Sequence, residues 1–247
     1  MIKISDIEYF SNDRTIRFLN MDCNVFMAGC KENEFDLNLS DPPYFNGPNK
    51  LGYYGAVKSK TKVKRQSYNV IGVWNVPNQI EFNEYKRVSV NQIIWGINYY
   101  DIENIGHGRI IWDKKNDSST FSDGEIAYCS YIETVKFYRY MWNGMLQENM
   151  KDKQIKIHPT EKPIDLYKWI IDTYTKPTDT ILDCFGGSMS NAIACHMKRR
   201  KLTIIELDVD YFKSALSRFE TYEMQVEDIK EFGYAKTKLN SVNPTLF

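Results

Sequence analysis

The sequence predicts an open, mostly parallel α/β sheet with helices on both faces. Short apolar runs alternate with helix-length segments, seven runs are strand-like, and one of them breaks into a glycine-rich turn directly before a helical segment. The strand-like runs are TIRFLNMD (15–22), EFDLNLSD (34–41), NQIIWGI (91–97), GRIIWDK (108–114), EIAYCSYI (125–132), DTILDCF (179–185) and KLTIIELD (201–208). Each is short and carries the apolar content of a buried or half-buried strand. Between them, NQIEFNEYKRVS (78–89), KPIDLYKWIIDTYT (162–175), SNAIACHMKR (190–199) and VDYFKSALSRFETYEM (209–224) read as helices.

At 247 residues the chain suits one large domain spanning 1–247. Its 32 basic and 32 acidic residues cancel, so no global positive field argues for a polyanionic partner, and any such surface is local. The five cysteines form no C-x-x-C pair and the three histidines lie far apart, which predicts neither a zinc site nor a disulfide framework. The first ten residues lack the apolar core of a signal peptide, and no run approaches the roughly 18 apolar residues of a membrane helix. A cytoplasmic protein without a membrane partner is expected.

Two segments stand apart from this pattern. Residues 46–76 read as an insertion, where Lys50, Lys58, Lys60, Lys62, Lys64 and Arg65 occur with Tyr53, Tyr54 and Tyr68 among and beside them, glycine punctuates the run and helical periodicity is poor. A second polar loop, KKNDSSTFSDG, occupies 114–124. The tail from Asp228 to Phe247 is weakly patterned and is expected to be flexible.

Two motifs carry chemistry. In ILDCFGGSMSNAIA (181–194) an apolar strand meets Asp183, then Gly186 and Gly187, then a helix. The glycines allow close backbone approach, and the helix N-terminus offers free N–H groups. Glu206 closes the next strand, at the place where a carboxylate takes both hydroxyls of a ribose; together they predict a nucleoside-bearing cofactor. The turn lacks the full G-x-G-x-x-G pattern, so a nicotinamide cofactor is not favoured. In DPPY (41–44), Pro42 and Pro43 stop the strand and leave the Pro42 carbonyl outside the sheet ladder. Asp41 and that carbonyl form a paired acceptor for one exocyclic amino group, with Tyr44 as a stacking platform.

These motifs, with HPTEKP (158–163), resemble those of S-adenosylmethionine-dependent DNA amino-methyltransferases. The order, DPPY first and the glycine loop later, is similar to the circularly permuted β group, and WGINYY, IIWDKKND and RYMWNGMLQ resemble the small phage-encoded adenine enzymes. The resemblance covers about residues 15–222 and implies a permuted Rossmann-like methyltransferase fold with a seven-stranded sheet. It implies S-adenosylmethionine as cofactor, held by Asp22, Cys23, Asp41, Thr160, Lys162, Pro163, Asp183, Phe185, Gly186, Gly187, Ser188, Ser190, Glu206, Leu207 and Asp208. Met189 stands where many relatives have glycine and would narrow the cleft.

The resemblance further implies methyl transfer to adenine N6 of double-stranded DNA, with Asp41, Pro42, Pro43 and Tyr44 at the reacting amine. The target base leaves the stack, a cost of about a few kcal/mol offset by aromatic stacking. Lys58, Lys60, Lys62, Lys64, Arg65, Trp112 and Phe121 are the DNA-contact candidates. Cytosine N4 presents an equivalent amine, and a non-catalytic DNA-binding module is the alternative of another class. NPTLF (243–247) resembles peptides that bind sliding clamps, with Asn243 where glutamine is usual. Monomer and homodimer both remain open.

Overall fold

The computed structural model describes residues 1–45, 76–116, 122–143, 146–151, 153, 158 and 160–232. The chain runs β1 (Ile2–Lys3), β2 (Glu8–Phe10), β3 (Ile16–Asn20), α1 (Cys23–Ala28), β4 (Phe35–Ser40), α2 (Gln79–Val88), β5 (Ser89–Trp95), β6 (Arg109–Asp113), β7 (Gly124–Cys129) and β8 (Val135–Arg139). It continues with β9 (Trp142–Asn143), β10 (Leu146–Gln147), α3 (Ile164–Tyr174), β11 (Thr180–Asp183), α4 (Ser190–Met197), β12 (Lys201–Glu206) and α5 (Val209–Phe232).

One sheet has the order β1-β2-β3-β12-β11-β4-β5-β7-β6-β8, and β9 and β10 form a separate small hairpin. Where seven strands were predicted, the sheet has ten among the described residues. The seven predicted strands make its uninterrupted centre, and the additions lie at the edges, where β1 and β2 pair antiparallel and β8 joins β6. Both edges are too short or too exposed to show a burial pattern in sequence: β8 is almost wholly solvent-facing. The five strands β3, β12, β11, β4 and β5 are parallel, and β7 runs antiparallel between β5 and β6.

Parallel strands buried on both faces need apolar side chains in both directions. Ile16, Phe18, Leu37, Leu39, Ile93, Ile181 and Ile204 point to the side covered by α3, α4 and α5, where they meet Ile170, Ile193 and Phe219. Leu19, Ile94, Leu182 and Ile205 point to the side of α1 and α2, against Met27, Phe82 and Tyr85. The sequence pattern had not separated α1, which has only six residues and is started by Asp22, whose side chain accepts the Asn24 N–H at 2.7 Å. Residues 228–232, inside the segment expected to be flexible, are helical, and the rest of that segment lies outside the described residues. Helix α5 continues to Phe232 because Phe219, Tyr222 and Val226 keep a helical spacing against the core. Among the described residues, no helix is long and apolar enough to cross a membrane.

Phe219 is fully buried and packs edge-on against Phe18, ring centroids 4.8 Å apart. Phe219→Ala is expected to lower the unfolding free energy by about 3–5 kcal/mol in urea titrations. The exposed Met224→Ala is expected to change it by less than about 0.5 kcal/mol.

Candidate active site

Strands β11 and β4 are parallel neighbours, with Ile181 opposite Leu37 and Leu182 opposite Asn38. From β11 the chain proceeds through α4 to β12 on one side, and from β4 through α2 to β5 on the other. Their carboxyl ends therefore open at the point where the strand order reverses, the place where α/β sheets bind ligands. A buried clasp joins them: the Cys184 N–H donates to Ser40 Oγ at 2.9 Å, and Ser40 Oγ donates to Asn38 Oδ1 at 2.5 Å. The glycine turn and DPPY, far apart in sequence, become adjacent walls.

On the glycine side, Asp183 accepts the Phe185 N–H at 3.0 Å and the Asn191 amide at 2.9 Å. The Gly186 N–H donates to the Ile205 carbonyl at 2.7 Å, and a Cβ on Gly186 would lie 3.1 Å from Ile204 Cγ1 and 3.2 Å from that carbonyl. Gly187, at φ +49°, donates its N–H to Glu206 Oε2 at 2.7 Å. Glu206 Oε1 accepts the Asp208 N–H at 2.9 Å. Burial pushes both carboxyls up to about 7, against the donors that bond them. The buried Asp183 and half-buried Glu206 carboxyls, both raised toward neutrality, suit a ligand bringing hydroxyls or an amino group, and the close-packed glycines leave backbone rather than side chain facing it.

Met189, expected to narrow this cleft, adopts φ 56° and its side chain is fully buried in the hydrophobic core. Arg218 of α5 braces the turn from within, donating from Nη1 to the Ser188 carbonyl at 2.8 Å and to Ser190 Oγ at 3.1 Å. Its Nη2 lies 3.2 Å from Glu161. His158 packs edge-on against Tyr211 and lies 3.6 Å from where a Gly187 Cβ would stand. Burial and the Lys162 ammonium push its pKa down to about 3, so the imidazole is neutral. Thr160 Oγ1 lies 3.1 Å from His158 Nδ1, and Pro163 occupies the N-cap of α3. Asn20 donates to the Glu206 and Leu207 carbonyls at 2.7 and 3.1 Å and pairs with Glu206 in the sheet, two residues before Asp22 caps α1. Phe185 packs edge-on to Tyr85, Leu207 is exposed, and Asp208 caps α5.

The DPPY side holds a charge cluster of half-buried groups around the buried Lys162. Lys162 Nζ lies 2.5 Å from Asp41 Oδ2 and 3.0 Å from Glu125 Oε2, and donates to the Tyr44 hydroxyl at 2.9 Å. Tyr44 Oη is 2.8 Å from both Asp41 Oδ1 and Glu125 Oε2. Lys114 pairs with the other oxygen of Glu125. Burial and the Glu125 charge raise Asp41 more than Lys162 lowers it. At Glu125 burial opposes ionisation, yet Lys162 and Lys114 hold the carboxyl far below the usual carboxylate range. Burial would lower Lys162, but Asp41 and Glu125 outweigh it and raise its pKa. The Pro42 carbonyl, outside the ladder as expected, is not an orphan: the Tyr100 hydroxyl donates to it at 2.9 Å.

Several sequence expectations change here. Lys162 and Asp41, both expected among the cofactor residues, pair with each other. Tyr44 has Tyr99 stacked on it at 4.8 Å, and its hydroxyl end is held by the Lys162 ammonium. Its packing depends on Gly96 (φ +74°), where a Cβ would come 2.2 Å from the Tyr44 ring. Trp112 is not a DNA contact. It points into the core, 1% exposed, with its indole N–H on the Tyr140 carbonyl at 2.9 Å. Lys58, Lys60, Lys62, Lys64, Arg65, Phe121 and the 243–247 peptide lie outside the described residues. The sequence reading missed Glu125, Lys114 and Tyr100; a charge opening the apolar run EIAYCSYI was the available signal for Glu125.

Because Glu206 is raised from 4.5 to about 7 on folding, the folded state holds its proton more tightly than the unfolded chain. Its contribution to stability is full below about 4.5 and is lost as pH rises through about 7. The stability of wild type minus that of Glu206→Gln, from urea titrations at a series of pH values, is expected to fall across that window.

Residues 62–217 match the family model for N6/N4 DNA methylases, a span that includes Glu125, Lys162, the glycine turn and Glu206 and begins after Asp41–Tyr44. The type II methyltransferase M2.MboI of Moraxella bovis is 24% identical over 246 residues, covering 85% of this chain and 90% of its own. The type II methyltransferase M.HinfI of Haemophilus influenzae is 24% identical over 261 residues, covering 89% and 72%. The solved structure of the cytosine-N4-specific PvuII DNA methyltransferase superposes with a TM-score of 0.52 at 14% identity, over 88% of this chain and 92% of its own. With the family match extending over more than half of its length, this chain belongs to the DNA methylases.

Proposed function

We propose that this DNA methylase transfers a methyl group from S-adenosylmethionine to adenine N6 in double-stranded DNA. The observation that carries the reading is the pairing, across the β4–β11 clasp, of the Asp41 carboxylate and Pro42 carbonyl with a glycine turn flanked by the Asp183 and Glu206 carboxyls. Glu206 suits the ribose hydroxyls of an adenosyl group, Asp22 its amino group, and the turn from Asp183 to Ser190 its amino-acid end. Bound there, the cofactor supplies an electrophilic methyl on a sulfonium.

The amine of adenine is a poor nucleophile because its lone pair is delocalised into the ring. Asp41 and the Pro42 carbonyl accept its two hydrogens, which gives the nitrogen tetrahedral character and aims the lone pair out of the ring plane. This is positioning and electrostatic alignment, with no covalent enzyme intermediate. Tyr100 holds the Pro42 carbonyl in place and Tyr44 holds Asp41. Tyr99 and Phe45, 42% and 41% exposed, offer the open aromatic surface at the mouth for a base turned out of the duplex. Cytosine N4 is the second reading, since its amine meets the same two acceptors; Asp41 as the first residue of the motif tilts the choice to adenine. The insertion 46–76 and loop 114–124 are the proposed readers of DNA sequence.

Incubation with tritiated S-adenosylmethionine and DNA, followed by nuclease digestion and chromatography, is expected to place label in N6-methyladenine. Label in N4-methylcytosine would establish the second reading, and absence of cofactor binding at millimolar concentration in calorimetry would sink the enzyme. Asp41→Ala is expected to abolish transfer while cofactor affinity stays within about tenfold, roughly 1.4 kcal/mol.

A further inference from the structure

The ammonium of Lys162 is 1% exposed and has three N–H donors. It meets three acceptors, Asp41, Glu125 and the Tyr44 hydroxyl. Glu125 stands at the start of β7 and is held from its far side by Lys114, which follows β6. The two strands pair from Arg109 with Tyr128 to Asp113 with Gly124, and the Lys114 N–H donates to the Asp123 carbonyl at 2.8 Å. The hairpin that carries loop 114–124 is therefore rooted against the residue that accepts the target amine.

We propose that Glu125 and Lys162 are positioning residues for methyl transfer: Lys162 fixes the Asp41 carboxylate, and Glu125 shares the lysine's charge so that Asp41 keeps its acceptor strength. This rests on the proposed methyl transfer for its purpose, and on the observed geometry for its substance. With Glu125 ionised, two ammonium groups face two carboxylates and the cluster is neutral. Without that charge the Lys162 ammonium would draw on Asp41 alone and weaken it as acceptor for a neutral amine. Loss of Lys162 would instead leave two carboxylates side by side. Among the described residues, the groups facing Asp41 are Tyr44 on its own loop, Tyr100 beyond β5, Glu125 on β7, Lys162 before α3, Tyr167 on α3 and Asp183 at the end of β11. The two tyrosines other than Tyr44 act on Asp41 as neutral neighbours, and Asp183 adds a like charge as it ionises.

The test follows the Asp41 carboxyl directly by carbon-13 NMR of uniformly labelled full-length protein, with Asp41→Asn identifying its resonance. The expected result is a titration midpoint that falls in Glu125→Gln, which removes a like charge, and rises in Lys162→Met, which removes the counter-charge. Where Lys162→Met does not fold, Glu125→Gln decides. In DNA methylation assays, Glu125→Gln is expected to lower kcat at least tenfold, move its acid limb to lower pH, and leave KM for DNA and cofactor affinity within about threefold, with partial recovery in Glu125→Asp. An Asp41 midpoint unmoved by Glu125→Gln overturns the proposal, as does a loss of activity explained by KM alone. Wild type that binds no cofactor and transfers no methyl refutes the enzymatic reading, while the NMR midpoints still decide the charge coupling.

Discussion

The site depends on one buried cation. Taking an ammonium out of water costs several kcal/mol, and such a group persists only where its donors are all met by well-placed acceptors. Lys162 meets that condition with acceptors from two separate elements: the loop after β4 gives Asp41 and Tyr44, and β7 gives Glu125. Because Lys162 sits two residues before the first turn of α3, the same contacts fix where that helix begins. The core beneath it, with Leu166, Ile170 and Ile171 against the sheet, then holds the lysine backbone in place. A mobile chain could not keep the charge paired, so packing and electrostatics support one another here.

The sheet does the rest by adjacency. In a parallel arrangement all carboxyl ends open on one edge, and the reversal of strand order between β11 and β4 leaves a crevice there without a crossing helix. Residues 41–44 and 183–190 thereby meet although about 140 positions separate them. Chain order has no bearing on this meeting, since neighbouring strands contribute the walls whichever is made first. The Ser40–Cys184 clasp is the local consequence, replacing water at the strand ends with a bond between them.

The centre of the fold was legible because it obeys local rules. Strands buried on both faces must be short apolar runs, and all seven were read within a few residues of their observed bounds. The edges escaped because an exposed strand such as Val135–Arg139 has no burial pattern, and Cys23–Ala28 is too short for helical periodicity to emerge. At the site, the proline pair and the glycines were legible as backbone constraints. The lysine's partner was not, because a charge pair between Lys162 and Glu125 is a tertiary fact with no fixed spacing. Trp112 misled for a related reason: strand residues alternate between faces, and sequence alone did not say which face its neighbours would cover.

Tyr44 shows how tightly this cluster is specified. Its hydroxyl lies within hydrogen-bond distance of two carboxylates and an ammonium, yet it has a single proton to give. Lys162 uses one of its lone pairs, so the phenol bonds Asp41 or Glu125 at any one time. Glu125 already has an ammonium on each side, whereas Asp41 is raised by burial and by the neighbouring carboxylate. Proton donation from Tyr44 therefore matters most to Asp41, which has only one strong counter-charge. An approaching amine would bring two N–H donors to the place where Asp41 and the Pro42 carbonyl are now served by tyrosine hydroxyls. The two tyrosines thus keep both acceptors hydrogen-bonded, and each acceptor oxygen retains a further lone pair.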